Sequence, residues 1–178
     1  TRQKGGYERI LEAFSKKQAD ILVGTQMIVK GHDFPNVTLV AALAADMSLY
    51  AGDYRSSERT FELLMQASGR AGRAEKAGEV VIQTYNPEEY SIQAVAGQDA
   101  EYFYENELAF RRLMKYPPYS QMAAILILSE EENEAKTLSE KLAENIHSVC
   151  GDAVTLIGPS KAGLSRAKDR YRYVLYVK

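Results

Sequence analysis

The stretch Gln66-Ala67-Ser68-Gly69-Arg70-Ala71-Gly72-Arg73 closes a run of helix-forming residues that begins near Arg55. An α-helix over 55–74, turning about 100° per residue, puts Arg59, Glu62, Gln66, Arg70 and Arg73 on one narrow polar stripe. Leu63, Leu64, Ala67, Ala71 and Ala74 fall on the adjoining face, which is expected to be buried. Two arginines one turn apart, with a glutamine one turn earlier, make a row of planar donors. Guanidinium forks match phosphate oxygens two bonds at a time. Gly69 and Gly72 each cost a helix roughly 1 kcal/mol against alanine, and close approach of a backbone or ligand is the usual compensation. The plain alternative is a solvated face with surface arginines. The fixed offsets of the glutamine and both glycines weigh against it.

On either side of this run, apolar segments alternate with helical ones. Residues 2–17 read as an amphipathic helix with Tyr7, Ile10, Leu11 and Phe14 on one face. Ile21-Leu22-Val23 and 37–43 read as short buried strands, the second closed by Asp46, and 79–84 as a third. Asp53 is a candidate N-cap for the arginine helix. Strands alternating with helices imply a parallel sheet, whose ligands sit at the carboxyl ends of the strands. Thr25, which follows the first strand, is placed there.

A second motif, Gly24-Thr25-Gln26-Met27-Ile28-Val29-Lys30-Gly31-His32-Asp33-Phe34, lies upstream. Together the two stretches resemble motifs V and VI of superfamily 2 helicases. The phrases GTQMIVKGHDFPNVTLV, QASGRAGR, GEVVIQTYNPE, RRLMKYPPYS and DRYRYVLYVK are similar, more narrowly, to the bacterial primosomal replication-restart helicases. This resemblance spans essentially the whole chain. It implies an ATP-driven 3′→5′ DNA helicase that binds stalled or branched forks and starts primosome assembly. Arg70 and Arg73 would face the terminal phosphate of ATP, with Gln66 holding the arginines or the attacking water. Gly31 and Asp33 would approach the nucleotide. Thr25 would hold a DNA phosphate, and Lys30 and His32 would add phosphate contacts. A lone histidine such as His32 in a loop is more often only a surface hydrogen-bonder.

The same resemblance implies further partners: other primosome proteins, single-stranded-DNA-binding protein, ATP and Mg2+, and Zn2+ in the full-length protein. Most of these lie elsewhere. The sequence has no Gly-x-x-x-x-Gly-Lys-Ser/Thr loop to cradle phosphates. Its single cysteine, Cys150, makes a cysteine-rich zinc module impossible here, so no metal is expected on this chain. ATP and Mg2+ would be held mainly by a first helicase lobe that the sequence does not contain, and the chain alone is expected to be inactive. It opens at Thr1 without methionine and closes within an apparent strand, so it is expected to be a piece of a longer protein.

The 178 residues suffice for one ordinary domain or two small ones, and 46% hydrophobic content supports a core. The net charge of −2 confines any nucleic-acid contact to local patches. One cysteine fits a reducing cytoplasm, where Cys150 is expected to act as a small buried hydrophobe. No apolar run could span a bilayer.

Past the helicase motifs, 88–114 reads as two helices broken near Gly97. Tyr102, Phe103, Leu108, Phe110 and Leu113 form a packing surface on the second. Tyr116-Pro117-Pro118-Tyr119 marks a boundary, because consecutive prolines end a helix. The expected organisation is a parallel-sheet α/β helicase lobe 2 over 1–115, a linker at 116–118 and an α+β domain of β-α-β-β order over 119–178. In that domain Ser129 and Glu132 form a capping box. Ala135, Leu138, Leu142, Ile146 and Val149 form a buried stripe. The loop expected between its last strands carries Lys161, Arg166, Lys168, Arg170 and Arg172 with Tyr171 and Tyr173, a mixture suited to single-stranded or branched DNA. A solvated loop entering a charged edge strand is the alternative. Two rival functions remain open: a non-catalytic DNA- or protein-binding module built from helicase parts, and a helicase of another repair or RNA pathway.

Overall fold

The computed structural model describes residues 5–25, 28, 34–50, 52–71 and 78–178. They fall into two compact units, one within Thr1–Tyr50 and Arg55–Phe103, the other within Ala51–Tyr54 and Tyr104–Lys178.

In the first unit, α1 (Gly6–Ser15) buries Leu11. Phe14 meets Phe34 edge-on at 5.0 Å. Strand β1 (Leu39–Ala42) pairs in parallel with β2 (Glu79–Ile82), Leu39 opposite Glu79 and Ala42 opposite Ile82. A 3-10 turn over Ala45–Tyr50 leads towards α2 (Ser56–Ser68). After β2 comes α3 (Tyr90–Gly97), capped by Glu89, whose carboxylate accepts from the Ser91 and Ile92 amides at 2.8 and 3.2 Å. The core gathers Phe61 and Leu64 of α2, Ile92, Ala94 and Val95 of α3, and Phe103 at the start of α4 (Ala100–Leu113). Phe61 and Phe103 stack at 4.1 Å. The break between the last two helices falls where expected, after Gly97.

The second unit is a three-stranded antiparallel sheet of order β3-β5-β4, from β3 (Ala123–Ser129), β4 (Leu156–Ala167) and β5 (Arg170–Val177), with α5 (Glu132–Cys150) across all three strands. Tyr173 and Leu175 of the central strand are buried. Gly158, at φ 100°, sits beside a register slip in β4; a Cβ there would come within 3.0 Å of the Val174 carbonyl oxygen. The mixed α/β architecture, one parallel and one small antiparallel sheet, is the expected fold class.

Several local expectations are corrected. Ile21-Leu22-Val23 is not a strand: no described residue pairs with it, and Ile21 and Val23 are 79% and 87% exposed. Apolar character makes a strand only where a neighbour supplies the ladder. Helix α2 stops at Ser68, with Gly69 as its cap rather than an interior residue. It starts without a side-chain cap from Asp53; Arg55 occupies that position and pairs with Glu58. On α4 only Phe103 of the expected apolar set is buried. On α5 the buried positions are Ala135 and Ser139, small residues that let the helix approach the sheet, whereas Leu138 and Val149 face solvent. The expected capping box does not form: Glu131 is the N-cap and has no side-chain cap, while Ser129 accepts from the Glu131 amide at 3.1 Å ahead of the helix and donates to Glu134 rather than pairing with Glu132. Cys150, expected inside, is exposed at the helix end.

Candidate functional site

Two clusters of predicted site residues lie in separate units. In the first unit, α2 carries Gln66 exposed on its last turn. The chain then tightens: Gly69 donates to the Met65 carbonyl at 3.0 Å, Arg70 to Ala67 at 3.0 Å and Ala71 to Ser68 at 3.2 Å. This change from α to 3-10 spacing is common at helix ends. It takes Arg70, half-buried, off the straight stripe predicted through Gln66. Arg73, Gly31, Asp33, Lys30 and His32 lie outside the described residues. Thr25 is exposed, and its carbonyl accepts from the Ile28 amide at 3.0 Å.

At the carboxyl end of β1 stands a residue that the sequence marked only as a strand end. Asp46 is 1% exposed. Its Oδ2 accepts from the Tyr85 amide, just past β2, at 2.9 Å, while Oδ1 has no partner among the described residues. Nearby, the Ala45 amide donates to the Gln83 carbonyl at 3.0 Å and the Ala44 amide to the Gln83 side chain at 2.7 Å. The exits of both parallel strands are thus tied together. Ser48 and Thr60 share a hydrogen bond of 2.7 Å, which joins the 3-10 turn to α2.

The second cluster departs from its expected form. The basic stretch is not a loop. It runs along two strands joined at Lys168-Asp169, where both residues have positive φ, 51° and 59°. Such backbone angles belong to the tight two-residue hairpin turn whose twist matches its strands. This geometry sorts the cations. Lys168, Arg170 and Arg172 line one open-mouthed cavity of about 450 Å3 together with Leu128 and Ala167. None of the three has an ion-pair partner among the described residues. Lys161 is instead held by Glu132 at 2.5 Å, and this hydrogen bond and charge raise its pKa above the ordinary lysine value. Arg166 leans on Asp169 at 3.5 Å and over the Tyr171 ring at 5.1 Å.

The sequence reading also passed over a buried pair in this unit. Arg111 Nη2 meets Glu107 at 2.6 Å, with side chains only 12% and 4% exposed. Their spacing of four residues on α4 was the available signal.

Comparison with known proteins follows the two units. Residues 2–75 match the helicase conserved C-terminal domain, and residues 112–178 match the primosomal protein N C-terminal domain. The chain is similar to a C-terminal part of the replication restart protein PriA. It is 51% identical over all its 178 residues to the Replication restart protein PriA of Bacillus subtilis (strain 168), covering 22% of that protein. To that of Synechocystis it is 42% identical over 178 residues, again the whole chain and 21% of the relative. To that of Haemophilus influenzae it is 36% identical over 98% of the chain and 24% of the relative. The chain therefore spans about a fifth to a quarter of the length of these relatives and matches a C-terminal part of them. Among the described residues, no helix is long and apolar enough to cross a membrane.

Proposed function

We propose that the chain is the distal part of lobe 2, with its appended C-terminal domain, of an ATP-driven 3′→5′ DNA helicase that acts on stalled or branched replication forks. The observation that carries this reading is the pairing, in one chain, of a helicase C-terminal domain with the restart-protein C-terminal domain. In this reading Arg70 and Arg73 offer guanidinium forks to the terminal phosphate of ATP, Gln66 orients them or the attacking water, and Gly31 and Asp33 approach the nucleotide. The exposed amide of Gln66 and the half-buried guanidinium of Arg70 suit that task, since neither is committed to the core. Arginines so placed contribute roughly 10³–10⁵ in rate to phosphoryl transfer. ATP and Mg2+ would bind mainly to a first lobe elsewhere in the full-length protein, which would also carry Zn2+.

Thr25, Lys30 and His32 would contact DNA phosphate along the first unit. Lys168, Arg170 and Arg172 would do so on the second, with Lys161 and Arg166 in support. Forked DNA, other primosome proteins and single-stranded-DNA-binding protein are the proposed partners, and the cytoplasm the proposed compartment. The deciding experiment is Arg73→Ala in the full-length protein. DNA-stimulated ATP turnover should fall about 10²-fold or more, with fork binding near normal. Arg73→Lys should fail to restore it, because a point charge lacks the fork geometry. The isolated chain should show no magnesium-dependent turnover. Wild-type turnover in Arg73→Ala would remove the arginine assignment.

A further inference from the structure

Strand alternation decides which face of the sheet in the second unit each side chain of the basic hairpin occupies. Tyr171 pairs with Ser129, Arg172 with Leu128 and Tyr173 with Ile127. The Ser129 hydroxyl donates to Glu134 of α5, and Ser129 and Tyr173 are both buried. Tyr171 and Tyr173 therefore belong to the face under α5. Charge and aromatic rings, interleaved in the sequence, are split between two faces of the sheet.

Arg172 and Leu128 belong to the opposite face. Leu126, two residues back along β3, shares it, and the two leucines are 40% and 46% exposed. The cavity of about 450 Å3 on this side has two kinds of wall. Leu128 and Ala167 form an apolar one, and Lys168, Arg170 and Arg172 a cationic one. Its volume lies within the roughly 300–1,000 Å3 of small-ligand sites.

This mixture discriminates among anionic partners. An intact duplex offers such a wall its phosphates and sugars, and keeps its bases stacked inside. An acidic side chain would satisfy the cations and leave the leucine in water. A nucleotide with an unpaired base carries both a phosphate and a flat ring of low polarity. Guanidinium planes also stack on bases as readily as they pair with phosphate.

We propose that this cavity holds one unpaired nucleotide of a single DNA strand, its phosphate on Lys168, Arg170 and Arg172 and its base against Leu128. This rests on reading the three cations as DNA contacts, and adds the base and the single strand to that reading. The test compares full-length wild type with Leu128→Thr, Leu128→Met and the triple variant Lys168→Ala with Arg170→Ala and Arg172→Ala. The probes are labelled forks whose single-stranded arm is oligothymidine or an abasic chain of equal length, and a fork with every arm duplex. Threonine suits a strand and puts a hydroxyl into the apolar wall. Leu128→Thr should bind the oligothymidine fork about fivefold more weakly than wild type, and the abasic and duplex forks equally well. Leu128→Met keeps the apolar wall and should bind all three like wild type. The triple variant should narrow the preference of wild type for oligothymidine over the abasic arm. That comparison needs no change at Leu128, so it decides the matter even where Leu128→Thr fails to fold. A folded Leu128→Thr that leaves all three affinities unchanged, or lowers them alike, overturns the nucleotide pocket. So does a triple variant that keeps the full preference for oligothymidine. If that triple variant still binds forks more weakly, the phosphate contacts stand without the pocket. If it binds every fork like wild type, the underlying reading falls as well. A labelled polyglutamate peptide that loses affinity in Leu128→Thr, while the oligothymidine fork keeps its own, would overturn the proposal in favour of an acidic protein partner.

Discussion

Replacing Lys168, Arg170 and Arg172 together with alanine should weaken fork binding through its salt dependence. The three line one cavity, without ion-pair partners among the described residues, so each is available to a DNA phosphate. A phosphate neutralised on duplex DNA contributes about 0.9 to the slope of log affinity against log salt, and about 0.7 on a single strand. Three contacts therefore flatten the slope by up to about 2.7 on duplex or about 2.1 on single strand. Between roughly 50 and 200 mM salt the wild type should lose up to about 40-fold more affinity than the variant. Fluorescence anisotropy of labelled forked DNA across that range measures both slopes. The structure also supplies the control. Lys161→Ala with Arg166→Ala removes cations already satisfied by Glu132 and Asp169, so the slope should change by less than about one unit. Sequence preference should not alter in either variant, because phosphate contacts carry no base information. Equal slopes for wild type and a folded triple variant would refute the reasoning. So would a control that flattens the plot as much as the triple variant does.

Glu107→Ala should destabilise the second unit by about 3–5 kcal/mol, because it leaves the Arg111 guanidinium buried without its partner. Thermal unfolding measures this, and replacing both residues with apolar ones should recover much of the loss. The lysine of the Lys161–Glu132 pair should make stability sensitive to strong alkali. Its lysine pKa is raised, so its contribution is complete below the ordinary lysine value and disappears as pH rises through the raised one. Denaturation curves of wild type and Lys161→Gln should therefore stay separated by a small constant amount at neutral pH and converge only in strongly alkaline buffer. Convergence near neutrality would contradict the assignment.

Local rules reached only part of this structure. The parallel pairing of β1 and β2, the break after Gly97 and the β-α-β-β order of the last module follow from periodicity and turn residues. Other features depend on what lies across from a segment. Ile21 and Val23 look like a strand in isolation, but a strand exists only when paired. The stripe on α5 was drawn through its largest apolar residues. The sheet instead selected Ala135 and Ser139, because close packing of a helix on a sheet favours small side chains. The stacked ring of Tyr54 left no trace in its own neighbourhood: its partners Arg111 and Tyr116 lie more than fifty residues away in sequence.

The basic patch shows how geometry revises a charge count. Net charge alone argues against a nucleic-acid partner, and the run from Lys161 to Arg172 argues for one. Neither states how many cations are free to act. The hairpin answers this through register. Strand pairing sets Arg172 opposite Leu128, and the two-residue turn brings Lys168 and Arg170 to the same cavity. The slip between Lys161 and Arg166 separates Lys161 from that cluster, where Glu132 of α5 takes it. A cation already paired releases little on meeting a phosphate, since it exchanges one anion for another. The positive field at this cavity is thus set by three side chains rather than by the composition of the chain. An acidic protein can in this way present a basic surface without becoming a basic protein.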